Sequence, residues 1–229
     1  MSPSPGVSAR FAAVVTAAGA SRRMGDGGKK EYSTLSGMPV LARSVLPFAR
    51  SCIFFRLVIT VPKGDVPMAK ELLSAHLGLD CVSFVEGGNT RQQSVLFALE
   101  ALEQDPPDFV LIHDGARPWV SAALIERVLH STERDGACVP LVEAVEAMKQ
   151  VESGGRIVRH LHRDGVRVAQ TPQGFAFGKI IAAHRRAAQE GTRCVDDAEV
   201  FDMYEGPVAS VDGETSNRKI TFNGDLRED

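Results

Sequence analysis

Four times in succession this chain repeats one pattern: a short apolar run, a turn, then a segment with apolar residues at helical spacing. The apolar runs are Phe11 to Val15, Phe54 to Pro62, Cys81 to Glu86 and Phe109 to His113. Helical patterns cover Pro39 to Arg50, Val66 to Ala75, Gln92 to Glu103 and the stretch from Ser121, a capping residue, to Arg134. A further strand is expected over Gly136 to Leu141. Strands alternating with helices across short connections predict an α/β fold with a mostly parallel sheet. In such a sheet every strand ends at the same edge, and ligands bind in the crevice there.

The rhythm then changes. Ala147 to Val151, the turn Ser153-Gly154-Gly155 and Arg156 to Leu161 read as a hairpin. A helix over Phe177 to Glu190, a short helix near Asp197 to Tyr204, a strand over Val208 to Asp212 and a last strand around Arg218 to Thr221 follow. With no internal repeat and no linker beyond the hairpin, residues 1–229 are expected to form one domain, with an arm at about 142–166.

The loop after the first strand, Thr16 to Tyr32, is small, glycine-rich and basic. Successive backbone N–H groups there could form an anion-binding concavity, with Arg22, Arg23, Lys29 and Lys30 adding cations. The plainer alternative is a surface turn with solvated charges. The loops at 87–94 and 113–118 end on the same edge and add Arg91, Asp114 and Arg117. Each has its own plainer reading: Asp114 and Arg117 could pair with each other, and Arg91 could be a solvated first-turn residue. One Asp at a strand end suits a divalent cation shared with phosphate oxygens better than a protein cage. The Walker spacing is absent, since Gly25 to Lys30 lacks it, and the first loop carries no G-x-G-x-x-G. These absences argue against a P-loop ATPase and against NAD.

Bulk properties agree with a small-molecule site. The 229 residues are 44% hydrophobic with a net charge of -3, which gives no reason to expect nucleic-acid binding. Cys52, Cys81, Cys138 and Cys194 form no CxxC pair and read as core residues of a reducing compartment. No apolar signal or membrane span is visible, so a cytoplasmic protein is expected.

Five motifs in order, Ala17-Ala18-Gly19-x-x-Arg22-Arg23-Met24, Gly87-Gly88-x-x-Arg91-x-x-Ser94, His113-Asp114-x-Ala116-Arg117-Pro118, Thr171-Pro172-Gln173 and Asn217-x-Lys219-Ile220-Thr221, resemble the 2-C-methyl-D-erythritol 4-phosphate cytidylyltransferases. The likeness runs from Phe11 to Leu226. It implies a Rossmann-like three-layer nucleotidyltransferase fold with a protruding β-hairpin arm. It also implies CTP and a sugar-alcohol phosphate as substrates, Mg²⁺ as cofactor, and a homodimer in which the arm reaches the neighbouring subunit's site. By position, Arg23 and Lys30 match catalytic cations, and Lys219 matches both a catalytic and a substrate-binding position. Ala17, Ala18, Gly19, Gly88, Asn89 and Ser94 match nucleotide-binding positions. Asp114, Arg117, Arg163 and Thr171 match the alcohol-phosphate side, with Asp114 also near the metal and Arg163 donated across the dimer.

Several positions depart from the family pattern. Lys29-Lys30-Glu31 stands where Pro-Lys-Gln is usual, which makes Lys29 a competitor for the role of Lys30. Glu146-Ala147 replaces Asp-Thr, and Val195 replaces the Thr before Asp196-Asp197-Ala198. Each lost hydroxyl weakens binding by about 0.5–1.5 kcal/mol if water does not replace it. The alternatives that follow are a cytidylyltransferase for ribitol 5-phosphate or another polyol phosphate, and a nucleotide-binding regulator without catalysis.

Overall fold

The computed structural model describes residues 9–19 and 29–226. Arg22 and Arg23 lie outside the described residues.

Strands β1 (Phe11–Thr16), β4 (Phe54–Val61), β5 (Val82–Glu86) and β6 (Phe109–Asp114) are parallel neighbours in one sheet. Two short strands, β2 (Thr34–Leu35) and β3 (Met38–Pro39), pair as a small ribbon ahead of helix α1 (Val40–Arg50). Helices α2 (Val66–Ser74), α3 (Arg91–Ala101) and α4 (Ala122–Asp135) follow β4, β5 and β6. The sheet continues through β7 (Ala137–Glu143), with β12 (Ala209–Asp212) parallel to it.

Two further strands of this sheet carry no sequence signal. β10 (Arg167–Ala169) runs antiparallel to β7, and β11 (Gln173–Ala176) lies antiparallel between β6 and β7. The full order is β10-β7-β11-β6-β1-β4-β5, with β12 on β7. β11 is only four residues, QGFA, and has no apolar alternation to reveal it. In the other direction, Arg218 to Thr221 is not a strand. Its Ile220 N–H donates to Ala116 O at 2.8 Å, and the segment continues irregularly with Lys219 and Thr221 at the cleft.

Helices cover both faces of the sheet, giving three layers. Alternation along β1 divides its side chains between two cores, as strand geometry requires. Ala13 and Val15 face one core with Leu41, Phe48 and Leu124. Ala12 and Val14 face the other with Leu99 and with Ile180 of α5 (Phe177–Glu190). Phe201 of α6 (Asp197–Glu205) joins the second core. Burial on both faces is why β1 reads as an unbroken apolar run.

The arm is a separate two-stranded sheet, β8 (Lys149–Val151) with β9 (Ile157–His160), between β7 and β10. Every residue of both strands is exposed in the single chain. Cys138 is buried as expected, whereas Cys52 is exposed, because it lies in the turn between α1 and β4.

Candidate active site

Register sets the site. Thr16 pairs with Asp114 on one side and with Thr60 on the other, so β1, β4 and β6 end at one level. The loops leaving that edge enclose a cleft of about 640 Å³. Its walls carry Ala18, Gly19 and Lys30 from the first loop, Gly88, Asn89, Arg91 and Ser94 from the second, and Asp114 from the third. Lys219 and Thr221 close it from the C-terminal segment.

The second loop is built for close approach. A Cβ on Gly87 would stand 2.2 Å from Ala18 Cβ and 2.7 Å from Ser94 Oγ, so only hydrogen fits. Gly88 N–H donates to Ser94 Oγ at 3.0 Å, and Ser94 Oγ donates to Thr90 O at 2.9 Å. Asn89 N–H donates to Gln93 Oε1 at 2.8 Å, and Gln93 side-chain atoms lie 2.4 Å from where a Gly88 Cβ would stand. Thr90 caps α3 by accepting from Gln93 N–H at 3.1 Å. The turn is thus held from within, and its backbone at Gly88 forms part of the cleft wall.

The two adjacent lysines separate. Lys30 is buried at the cleft and its Nζ donates to Ile220 O at 3.0 Å. Lys29 instead forms an ion pair with Asp65, the residue before α2, above the ring of Tyr32. Burial, and then Asp65, push the Tyr32 hydroxyl well above its usual range, so it stays protonated there. Lys29 therefore fastens the loop's downstream end, while Lys30 stands in the cleft.

Asp114 is the centre of a cation cluster. Lys219 Nζ lies 2.7 Å from its Oδ2, Arg91 Nε 3.2 Å from its Oδ1, and Arg117 Nε 3.5 Å from its Oδ2. Burial alone would raise this carboxyl, but Arg91, Lys219 and Arg117 outweigh it and hold it well below the usual carboxylate range. Burial also lowers the pKa of Arg117. Arg117 does not line the cleft; it braces the wall by donating to Asn217 O at 2.8 Å.

A neutral relay supports Asp114 from behind. His113 Nε2 lies 3.2 Å from Arg117 O, a carbonyl that can only accept, so Nε2 carries the proton. Thr171 Oγ1 then donates to His113 Nδ1 at 3.0 Å and accepts the Asp114 N–H at 3.0 Å. Burial pushes the His113 pKa down to about 4, which keeps the ring neutral near pH 7. Asn217 Nδ2 donates to Thr171 O at 2.8 Å and links the C-terminal segment to the same frame.

Of the remaining expected residues, Ala17 lies beneath the lining, its N–H donating to Thr60 O at 2.9 Å. Arg163 does not line this cleft; it sits in a short 3-10 turn after the arm and donates to Val145 O at 3.0 Å. Glu31 and Thr221 line the cleft although the sequence gives them no site role. Both stand inside quoted motifs or next to named cations, so proximity is the only signal the sequence offers. Buried Asp197, which contacts Arg91, appears in the sequence only as part of the stretch after Val195; its inward direction is not legible there, because the start of α6 reads as an ordinary helix cap.

The donor set does not suit a resident metal on Asp114. Both carboxylate oxygens already face cations, and among the described residues no group of three or more His, Cys, Asp or Glu could hold an ion. The arrangement is instead that of an anion site, with a backbone turn on one wall and Lys30, Arg91 and Lys219 around it.

Residues 11–228 match the family profile described as IspD: 2-C-methyl-D-erythritol 4-phosphate cytidylyltransferase. The chain belongs to this family. It is 41% identical over 220 residues to the bifunctional enzyme IspD/IspF of Rhodopseudomonas palustris strain BisB18, covering 96% of this chain and 54% of that protein. It is 39% identical to the bifunctional enzyme IspD/IspF of Nitrobacter hamburgensis over the same shares. This chain therefore spans about half the length of those curated relatives. Among solved structures it resembles the 2-C-methyl-D-erythritol 4-phosphate cytidylyltransferase of Thermus thermophilus, at a TM-score of 0.78 and 33% identity over 95% of both chains. It also resembles the 4-diphosphocytidyl-2C-methyl-D-erythritol synthase of Anaerococcus prevotii, at a TM-score of 0.83 and 26% identity over 95% of this chain and 93% of the other. The family's α/β nucleotidyltransferase fold is the one seen here.

Proposed function

We propose that this chain transfers a cytidylyl group from CTP to 2-C-methyl-D-erythritol 4-phosphate, releasing pyrophosphate in isoprenoid biosynthesis. The observation that carries the reading is the cleft itself. A side-chain-free turn at Gly87–Gly88 and three cations from separate elements meet at the sheet edge.

The nucleotide lies along Ala18, Gly19, Gly88, Asn89 and Ser94, where backbone groups can approach a base and a phosphate. The alcohol phosphate lies at the Asp114–Lys219 corner. One of its oxygens attacks the α-phosphorus of CTP in line. The new bond is O–Pα, the broken bond joins Pα to the bridging oxygen of the β-phosphate, and pyrophosphate leaves with that electron pair. The nucleophile is already an anion at neutral pH, so no general base is required. Catalysis is positioning and charge stabilisation. Lys30, with Arg23 by its place in the motif, stabilises charge on the α- and β-phosphates. Lys219 holds the attacking phosphate, and Arg117 and Thr171 hold Asp114 in place. A Mg²⁺ ion accompanying the nucleotide would supply charge neutralisation on its phosphates, with Asp114 among the cleft's carboxylates and no protein cage among the described residues to hold it alone.

Two chains act together in this reading. Val145, Met148, Val151, Ile157 and Val158 leave an apolar arm exposed, and a second copy would cover it. Arg163 then reaches the alcohol phosphate of the partner subunit. Among the described residues no helix is long and apolar enough to cross a membrane. The four cysteines are unpaired, as a reducing compartment such as the cytoplasm would keep them.

The test is pyrophosphate release from CTP and Mg²⁺ with methylerythritol phosphate or ribitol 5-phosphate offered in parallel. Turnover with the first and little with the second is expected. The reverse preference would move the chain to the polyol-phosphate alternative, which the departures at Val195 and Glu146-Ala147 leave open. No release with either would leave a nucleotide-binding regulator.

A further inference from the structure

Behind the cleft lies a second carboxylate that the chemistry above does not use. Asp197 is the first residue of α6 and is 1% exposed. Arg91 Nη2 stands 2.8 Å from its Oδ2, and His184 Nε2 of α5 stands 3.2 Å from its Oδ1. His184 is as deeply buried as Asp197. Both contacts are close, although neither meets hydrogen-bond geometry. Burial would raise the Asp197 carboxyl, but Arg91 and His184 overcome it and hold it below its ordinary value. A buried carboxylate in this setting carries its full charge.

The geometry divides one guanidinium between two carboxylates. Arg91 offers Nε to Asp114 and Nη2 to Asp197, two different nitrogens of one rigid plane. Two anchors on different edges fix both the position and the tilt of that plane. Asp197 pulls Arg91 back towards α5 and α6, while Asp114 pulls it into the cleft. Without the rear anchor, Arg91 would turn fully onto Asp114, which already faces Lys219 and Arg117. The cation that an incoming phosphate should meet would then be committed to Asp114.

We infer that Asp197, backed by His184, is a positioning residue that holds Arg91 part-way out of its pairing with Asp114, so that the alcohol-phosphate corner keeps a cation to share. The inference deepens the proposed cytidylyltransferase reading and rests on it. It also gives the second aspartate of Asp196-Asp197 a different job from the first. Asp196 caps α6, accepting from Glu199 N–H at 2.9 Å, and Asp197 reaches inward from the next position.

The experiment compares wild type, Asp197→Asn and Arg185→Ala with CTP, Mg²⁺ and methylerythritol phosphate. Asparagine keeps the shape and removes the charge. Arg185 is next to His184 on the same helix, but it pairs with Glu103 at the surface, so its variant controls for general disturbance of α5. Turnover by wild type tests the parent reading separately: if wild type is inactive, that reading fails before any variant is judged. With wild type active, folded D197N should lose about 30–100-fold in kcat/KM for the alcohol phosphate, while its Kd for CTP stays within about threefold. R185A should match wild type in both. Folded D197N with kcat/KM within about threefold of wild type overturns the inference, as does an equal loss in CTP affinity. If D197N does not fold, His184→Leu takes its place. It should lose about 5–10-fold in the same kcat/KM with CTP binding kept, and no such loss overturns the inference. If neither variant folds, the cluster serves stability alone and the inference is wrong.

Discussion

At the scale of single residues, some side chains line the cleft and others hold that lining in place. Lys30 is the clearest member of the first class, buried and yet lining the cleft, and in the proposed reading it faces the phosphates. Lys30→Met keeps most of its bulk and removes its charge. It is expected to lower kcat about 10²–10³-fold, the range for losing one preorganised stabilising donor, with a smaller change in CTP affinity. Steady-state pyrophosphate release with a parallel CTP titration checks this, and unaltered kcat contradicts it. His113 belongs to the second class. Its pKa is about 4 in the fold against 6.5 for the free side chain, so between those values the unfolded chain binds a proton that the folded chain refuses. Its contribution is complete above pH 6.5 and declines as pH falls towards 4, by about 3 kcal/mol in all. Urea midpoints should fall across that window, and His113→Gln should flatten the slope. An equal slope in both proteins would remove this explanation.

At the scale of elements, the Gly87 turn and the strands around it decide the shape of the cleft. Gly87→Ala would drive a methyl group into Ala18 and Ser94. The expected cost is about 1–3 kcal/mol of stability, as for overpacked sites, with roughly tenfold weaker CTP binding. Thermal melts and calorimetry measure both, and wild-type behaviour in both would mean that the turn yields freely. Much of this architecture is legible in the sequence, since β1, β4, β5 and β6 are apolar runs followed by helical patterns. The helix over Phe177–Glu190 appears with its expected bounds. β11 is not legible, because its residues are chosen by neighbours rather than by a pattern. A Cβ at Gly174 would stand 2.0 Å from Thr132 Oγ1 of α4, a contact invisible along the chain. The same holds for Asp197, whose partners Arg91 and His184 stand on α3 and α5. Adjacent sequence shows a cap; only the folded helices show an inward carboxylate.

At the scale of the whole molecule, the sheet edge gathers a cleft whose one wall would take the nucleotide and one corner the second phosphate in the proposed reading, and the arm leaves apolar residues exposed that a second copy would cover. Replacing Val151 and Ile157, both exposed on the arm, by Glu should convert a dimer to monomer in sedimentation and sharply reduce turnover while CTP binding persists. A wild-type monomer, or an undisturbed dimer in the variant, would contradict that assembly. The account as a whole depends on where CTP lies, and a crystal structure of the complex with CTP and Mg²⁺ tests this most directly. The prediction is a cytosine against the Gly88 backbone, phosphates between Ala18–Gly19 and Lys30, and Asp114 still among its cations. A nucleotide bound away from that sheet edge, with Lys30 and Gly88 untouched, would contradict it.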